Sequence, residues 1–138
     1  MITFTEPLTM LPNEVFLDTA FAIALSVASD EHHLPALLLS DELETQNVRL
    51  VTTRAVLFEI GNALAKLRYR QAAVELLDAL KNDPNVEIVS VSETICEQAF
   101  HLYRNRMDKE WGITDCISFV VMDEYGLTAA LTTAMALN

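Results

Sequence analysis

The apolar run Glu14-Val15-Phe16-Leu17-Asp18 passes without a linker into a helical pattern, and this junction constrains the fold more than any other feature of the chain. Bounded upstream by Pro12-Asn13 and ending on an acid, the run reads as a strand buried in a parallel sheet. From Thr19, placed to cap the first turn, Ala20, Ile23, Ala24 and Val27 recur at helical spacing. The same alternation continues downstream. A helix is predicted over roughly Leu34 to Gln46, with Leu37, Leu38 and Leu39 inward and Asp41, Glu42 and Glu44 outward, and Arg49 to Thr53 reads as the next strand. Arg54 to about Tyr69 carries one apolar stripe of Val56, Leu57, Ile60, Ala63, Leu64 and Leu67, and a further helix covers Gln71 to Lys81. After the Asn82-Asp83-Pro84-Asn85 turn, Val86 to Val89 reads as a strand, and Ser92 caps a helix with Ile95, Ala99, Leu102 and Tyr103 inward. A last helix starts at Thr114-Asp115 and ends at Tyr125, with Gly126 suited to the C′ position, before a fourth strand over Thr128 to Thr132. Strands separated by helices predict an α/β layered fold with a mainly parallel sheet, whose sites lie at the carboxyl ends of the strands.

Composition narrows the function classes. With 138 residues, 51% of them hydrophobic, only three Gly and four Pro, and no linker or repeat, the chain is expected to form one domain over residues 1–138. Nine Lys and Arg against twenty Asp and Glu leave a net charge of −11, so a basic face built to grip nucleic-acid phosphates is not evident, and any nucleic acid bound here must be recruited by something other than bulk charge. Apolar runs such as Phe119-Val120-Val121-Met122 fall far short of the roughly 18 residues needed to cross a bilayer, so no membrane span is expected. The first residues, MITFTEPLTMLPNE, lack Lys and Arg and do not read as a secretory signal. Cys96 and Cys116 each lie within an apolar helical pattern, where free thiols are common, and a reducing cytoplasm is the expected compartment.

Three acids stand at informative places. Asp18 ends the first strand, Asp115 lies in the first turn of the last helix, and Glu59 borders an apolar stripe between Phe58 and Ile60. Each has a plain structural explanation: helix capping for Asp18, helix-dipole complementarity for Asp115, and an ion pair with Arg54 for Glu59. Together, three carboxylates converging in an apolar setting repel one another unless a cation joins them. Mg²⁺ or Mn²⁺ resolves that conflict, since both prefer oxygen ligands, and metal-assisted phosphodiester hydrolysis is the chemistry such a set suggests.

The residues around these acids carry a resemblance. Val15-Phe16-Leu17-Asp18-Thr19, Phe58-Glu59-Ile60-Gly61-Asn62-Ala63-Leu64 and, most specifically, Trp111-Gly112-Ile113-Thr114-Asp115-Cys116-Ile117-Ser118-Phe119 closely resemble the PIN-domain family, which includes the VapC-type toxin ribonucleases. The likeness spans roughly Val15 to Thr133. It implies a three-layer α/β/α sandwich and an acidic pocket holding Mg²⁺ or Mn²⁺ for cleavage of single-stranded RNA. Asp18, Glu59 and Asp115 match the family's first three acids, as catalytic residues and metal ligands, and Thr132 matches its substrate-positioning hydroxyl. The toxin half of a toxin-antitoxin pair is the implied role, with an antitoxin protein as partner and a homodimer as the usual assembly.

The chain departs from the family after Thr132. Ala134 stands where the family carries its fourth acid, and the family's C-terminal strand is expected to be missing. One fewer carboxylate lowers affinity for a divalent ion, so weakened activity is expected; the competing reading is a catalytically impaired module that binds RNA or protein without cutting. Asp108, seven residues before Asp115, is a secondary acid whose alternative is a pair with Arg106 or Lys109. His32 and His33 lack a third ligand at zinc spacing and predict a solvated helix start. Arg68, Tyr69, Arg70, Arg104 and Arg106 form the densest basic positions, suited equally to RNA phosphates and to ordinary surface.

Overall fold

The computed structural model describes residues 2–3 and 11–132. The element order is β1 (Ile2–Thr3), β2 (Glu14–Leu17), α1 (Thr19–Ser26), α2 (His33–Thr45), β3 (Arg49–Thr53), α3 (Arg54–Ala63), α4 (Leu67–Asn82), β4 (Val86–Val89), α5 (Glu93–Asn105), α6 (Ile113–Glu124) and β5 (Ala130–Thr132). These strands form a five-stranded sheet in the order β1-β5-β2-β3-β4, with every pairing parallel. Helices α1 to α4 pack among themselves and α5 packs on α6, giving the expected α/β/α architecture. From β2 the chain builds outward through β3 and β4, then returns to place β5 on the opposite side of β2. The seam between β2 and β5 is therefore a topological switch point, where parallel α/β sheets open a crevice at their carboxyl ends.

The core confirms why these elements form. Val15, Phe16 and Leu17 are buried, as a strand covered on both faces requires, and Phe21, Ala22 and Ala24 bury the matching side of α1. Thr52, fully buried in β3, donates its hydroxyl to the Leu17 carbonyl at 2.8 Å and fixes the last residue of β2. Capping follows sequence at two places: the Thr53 hydroxyl accepts from the Val56 N–H at 3.1 Å, and that of Ser92 from Ile95 at 3.2 Å. Gly126 takes φ 66°, the left-handed geometry of a C′ glycine, while the Leu127 N–H closes back on the Met122 carbonyl at 2.8 Å.

Several expectations are corrected. The single helix over Arg54 to Tyr69 is two helices, broken at Leu64–Lys66. Here the Ala65 carbonyl accepts from the Arg70 guanidinium at 2.7 and 3.2 Å instead of continuing the helical ladder. Val56, Leu57, Ile60 and Leu64 are buried as the stripe required, but Ala63 is exposed and Leu67 is 90% exposed. On α2 only Leu39 of the three consecutive leucines is buried, because neighbouring helical residues point about 100° apart. Tyr103 is likewise exposed rather than inward. β1 was not anticipated, since two residues carry no periodic signal and gain strand geometry only by pairing Ile2 with Leu131 and Thr3 with Thr132. Ala134 and the absence of a final strand lie outside the described residues. No helix among the described residues is long and apolar enough to cross a membrane.

The break after α3 makes a direct test. Ile60→Ala is expected to cost about 3 kcal/mol in denaturant unfolding, whereas Leu67→Ala should change stability by less than about 0.5 kcal/mol; equal losses would restore the continuous helix.

Candidate active site

Asp18 follows the last residue of β2, and its N–H continues the sheet by donating to the Leu131 carbonyl at 3.2 Å. The backbone is extended, at φ −93° and ψ 163°, in the N-cap position of α1, yet its carboxylate makes no capping bond. The capping explanation is thereby removed. Instead Oδ2 accepts from the Thr132 hydroxyl at 3.1 Å, across the β2–β5 seam, and both side chains are buried, Asp18 at 8% exposure. Burial pushes the Asp18 carboxyl above its ordinary value. The Thr19 N–H and the Thr132 hydroxyl oppose that shift, while the charges of Asp115 and Glu59 add to it.

Asp115 reaches the same neighbourhood from α6. Its Oδ2 accepts from the Gly112 N–H at 2.9 Å, so the backbone entering the helix orients the carboxylate. Burial raises this carboxyl too, the Gly112 bond counteracts it, and Glu59 raises it further. Ser118, one turn along α6, is buried with its hydroxyl bonded to the Thr114 carbonyl at 3.0 Å, and together with Asp18 and Asp115 it lines a small cavity above Phe16 and Ala130. Glu59 is half-buried on α3 and forms no ion pair with Arg54 among the described residues. It acts on both aspartates through its charge. The three predicted acids thus share one electrostatic neighbourhood supplied by β2, α3 and α6.

Other candidates are placed elsewhere. Asp108 binds Arg106 through two bonds, Nε to Oδ1 at 3.0 Å and the terminal nitrogen to Oδ2 at 3.1 Å, on an exposed turn. That partner holds its carboxyl below the ordinary value, and Asp108 is not among the charges that move Asp18 or Asp115. His33 is turned to the Ala24 carbonyl at 2.7 Å, and His32 lies 3.5 Å from Glu31. Arg70 is engaged with Ala65 and Arg68 lies over the Tyr69 ring. Sequence reasoning missed Ser118 and Thr52. The first was legible as the residue three after Asp115, on the same helical face; the second had no local signal, because its partner is 35 residues away.

Among the described residues no three His, Cys, Asp or Glu side chains converge into a ready-made metal cage. The donor set nevertheless fits a hydrated divalent ion, which commonly takes one or two carboxylates and keeps several waters. All the donors are hard oxygens, Asp18 has no cationic partner among the described residues, and the buried Thr19 hydroxyl beside it lacks any hydrogen-bond partner there. A buried carboxylate and an orphaned hydroxyl at one strand end are what a cation with its waters would satisfy.

A parallel α/β sheet with carboxylates gathered near its switch point defines an α/β domain with an acidic cleft at one sheet edge. The chain belongs to the PIN-domain family, whose model matches residues 15–133. In three dimensions it is similar to the crystal structure of Mycobacterium tuberculosis VapC20, described as a sarcin-ricin loop cleaving toxin. The TM-score is 0.76 at 28% sequence identity, over 84% of this chain and 86% of that one. No curated protein matches the chain by sequence.

The raised Asp18 carboxyl gives a stability prediction with a defined sign. Because the folded value lies above the unfolded 3.8, the folded state holds its proton longer, and stability falls as pH rises from 3.8 through the folded value. In EDTA at pH 7, Asp18→Asn, which keeps an acceptor for Thr132, is expected to be more stable than the unmodified chain, with a higher Tm. The gain should shrink as the pH is lowered toward 4; a variant less stable at pH 7 would contradict the assignment.

Proposed function

We propose that the chain is a metal-dependent endoribonuclease that hydrolyses phosphodiester bonds of single-stranded RNA, as the toxin of a toxin-antitoxin pair. The observation that carries this reading is the buried Asp18 carboxylate at the switch point, held by Thr132, near Asp115 and Glu59 and without a cationic partner among the described residues. Membership of the PIN-domain family and likeness to a sarcin-ricin loop cleaving toxin support it.

Asp18, Glu59 and Asp115 would hold Mg²⁺ or Mn²⁺, which when bound supplies an acidified water and charge neutralisation at the phosphate. The remaining work is done by the chain itself. Thr132 fixes the Asp18 carboxylate and, through it, where substrate can sit; the Gly112 N–H fixes that of Asp115. Glu59, partly open to solvent on α3, adds negative charge that favours a cation in the cleft over a bare phosphate. An antitoxin protein and a second copy of the chain are the partners this reading carries, and the free thiols Cys96 and Cys116 accord with a reducing cytoplasm.

A specific observation favours a second reading. With no three-carboxylate cage among the described residues, and Ala134 in place of the family's fourth acid, the domain would bind RNA or protein while cutting slowly or not at all. Cleavage of a single-stranded RNA pool in Mn²⁺ separates the two. The nuclease reading expects cutting that EDTA abolishes, that falls at least about 100-fold in Asp115→Asn and about tenfold in Thr132→Val. No cutting by the unmodified chain, with cutting gained in Ala134→Asp, would establish the impaired module.

A further inference from the structure

Beside the acids lies a cavity of about 390 Å³ that no catalytic role uses, formed where α5 ends and the chain turns toward α6. Tyr103, Arg106, Lys109, Glu110 and Trp111 line it, and so does Gly112, the residue whose N–H holds the Asp115 carboxylate. The cavity and the acidic site thus share a wall. Arg106 is fixed from two sides: Asp108 grips it through two hydrogen bonds, and its guanidinium lies 5.1 Å from the centre of the Trp111 ring. That ring is set in turn by an edge contact with Phe119 on α6, at 4.7 Å between centroids. The remaining guanidinium N–H groups and the exposed Lys109 ammonium are left for an incoming acceptor, while the Tyr103 ring, 51% exposed, offers a flat surface. The Trp111 indole N–H is buried without a partner among the described residues, a donor that a ligand or a water must satisfy.

We infer that this cavity is a nucleotide subsite for single-stranded RNA, in which Tyr103 stacks on the base next to the scissile phosphate and Arg106 and Lys109 receive that nucleotide's phosphate. The inference rests on the nuclease reading above and deepens it. Single strands are held by bases stacked on aromatic rings together with cationic contacts to the backbone, and this wall offers one of each kind. That matters here, because a chain of net charge −11 needs a local recruiting device. Glu110 and Asp108 offset the two cations locally, so the phosphate contacts supply orientation and the stacking supplies most of the affinity.

Trp111 is the chain's sole tryptophan, and its emission therefore reports on this wall. The test titrates the full chain, in EDTA so that nothing is cut, with a short single-stranded RNA oligonucleotide, following Trp111 fluorescence. Saturable quenching is expected, weakened about tenfold in Tyr103→Ala, with Lys109→Gln lowering the log–log salt slope by about 0.7. Both changes are on exposed side chains and should leave the thermal transition in place. If the oligonucleotide binds with unchanged affinity in both variants, or leaves Trp111 emission unmoved, the subsite is overturned, and the cavity is left to a protein segment. Cleavage in Mn²⁺, measured in parallel, keeps the two readings apart: cutting without variant-sensitive quenching sinks the subsite alone, and variant-sensitive quenching without cutting sinks the nuclease alone.

Discussion

The hydrogen bond from Thr132 to Asp18 is the constraint on which the rest of the site depends. A carboxylate buried at the end of an apolar strand is costly, and it is tolerated here because the neighbouring strand delivers a hydroxyl to it and the α1 backbone begins beneath it. The register that pairs Phe16 with Ala130 and Leu17 with Leu131 sets that geometry. A slip of one residue would turn Thr132 to the other face of the sheet and leave Asp18 without its donor. The Thr52 bond to the Leu17 carbonyl guards the same point from the opposite strand. Sheet topology and site chemistry are thus one arrangement, since the switch point that opens the crevice is also where the two strands present Asp18 and Thr132.

Much of this was legible in the residues. The Glu14 to Asp18 run, the strand at Arg49 to Thr53, the Ser92 cap and the Gly126 stop each have a local cause, and each stands where its pattern placed it. What was not legible depends on contacts distant in sequence. Leu64 to Lys66 interrupt a pattern that is apolar on both sides of the break, and only Arg70 turning back to the Ala65 carbonyl reveals the end of α3. Ile2–Thr3 is a strand solely because β5 lies beside it. At the site, the acids announced themselves as charges in apolar surroundings, whereas the capping role open to Asp18 was removed only by the side-chain geometry. Asp108 was only a secondary acid from sequence, and the guanidinium of Arg106 decides for its paired alternative.

The electrostatics of the chain divide its labour. Asp18, Asp115 and Glu59 concentrate negative charge at one strand edge, where Asp115 and Glu59 raise the cost of ionising Asp18, and Glu59 that of ionising Asp115. The cationic and aromatic side chains at the end of α5 stand on the other side of Gly112. A single backbone segment, residues 106–115, therefore carries cationic side chains and the Asp115 carboxylate within a few residues.

The two halves of the site are 114 residues apart in sequence. During synthesis Asp18 emerges early, when β3 and the helices that pack around it can already begin to fold, but Thr132 must leave the ribosome before β5 can slot between β1 and β2. Closing so long a loop is among the slowest steps open to a small domain. A growing chain thus carries its Asp18 carboxyl without its hydroxyl donor until β5 has been made, so assembly order itself delays the maturing of the site.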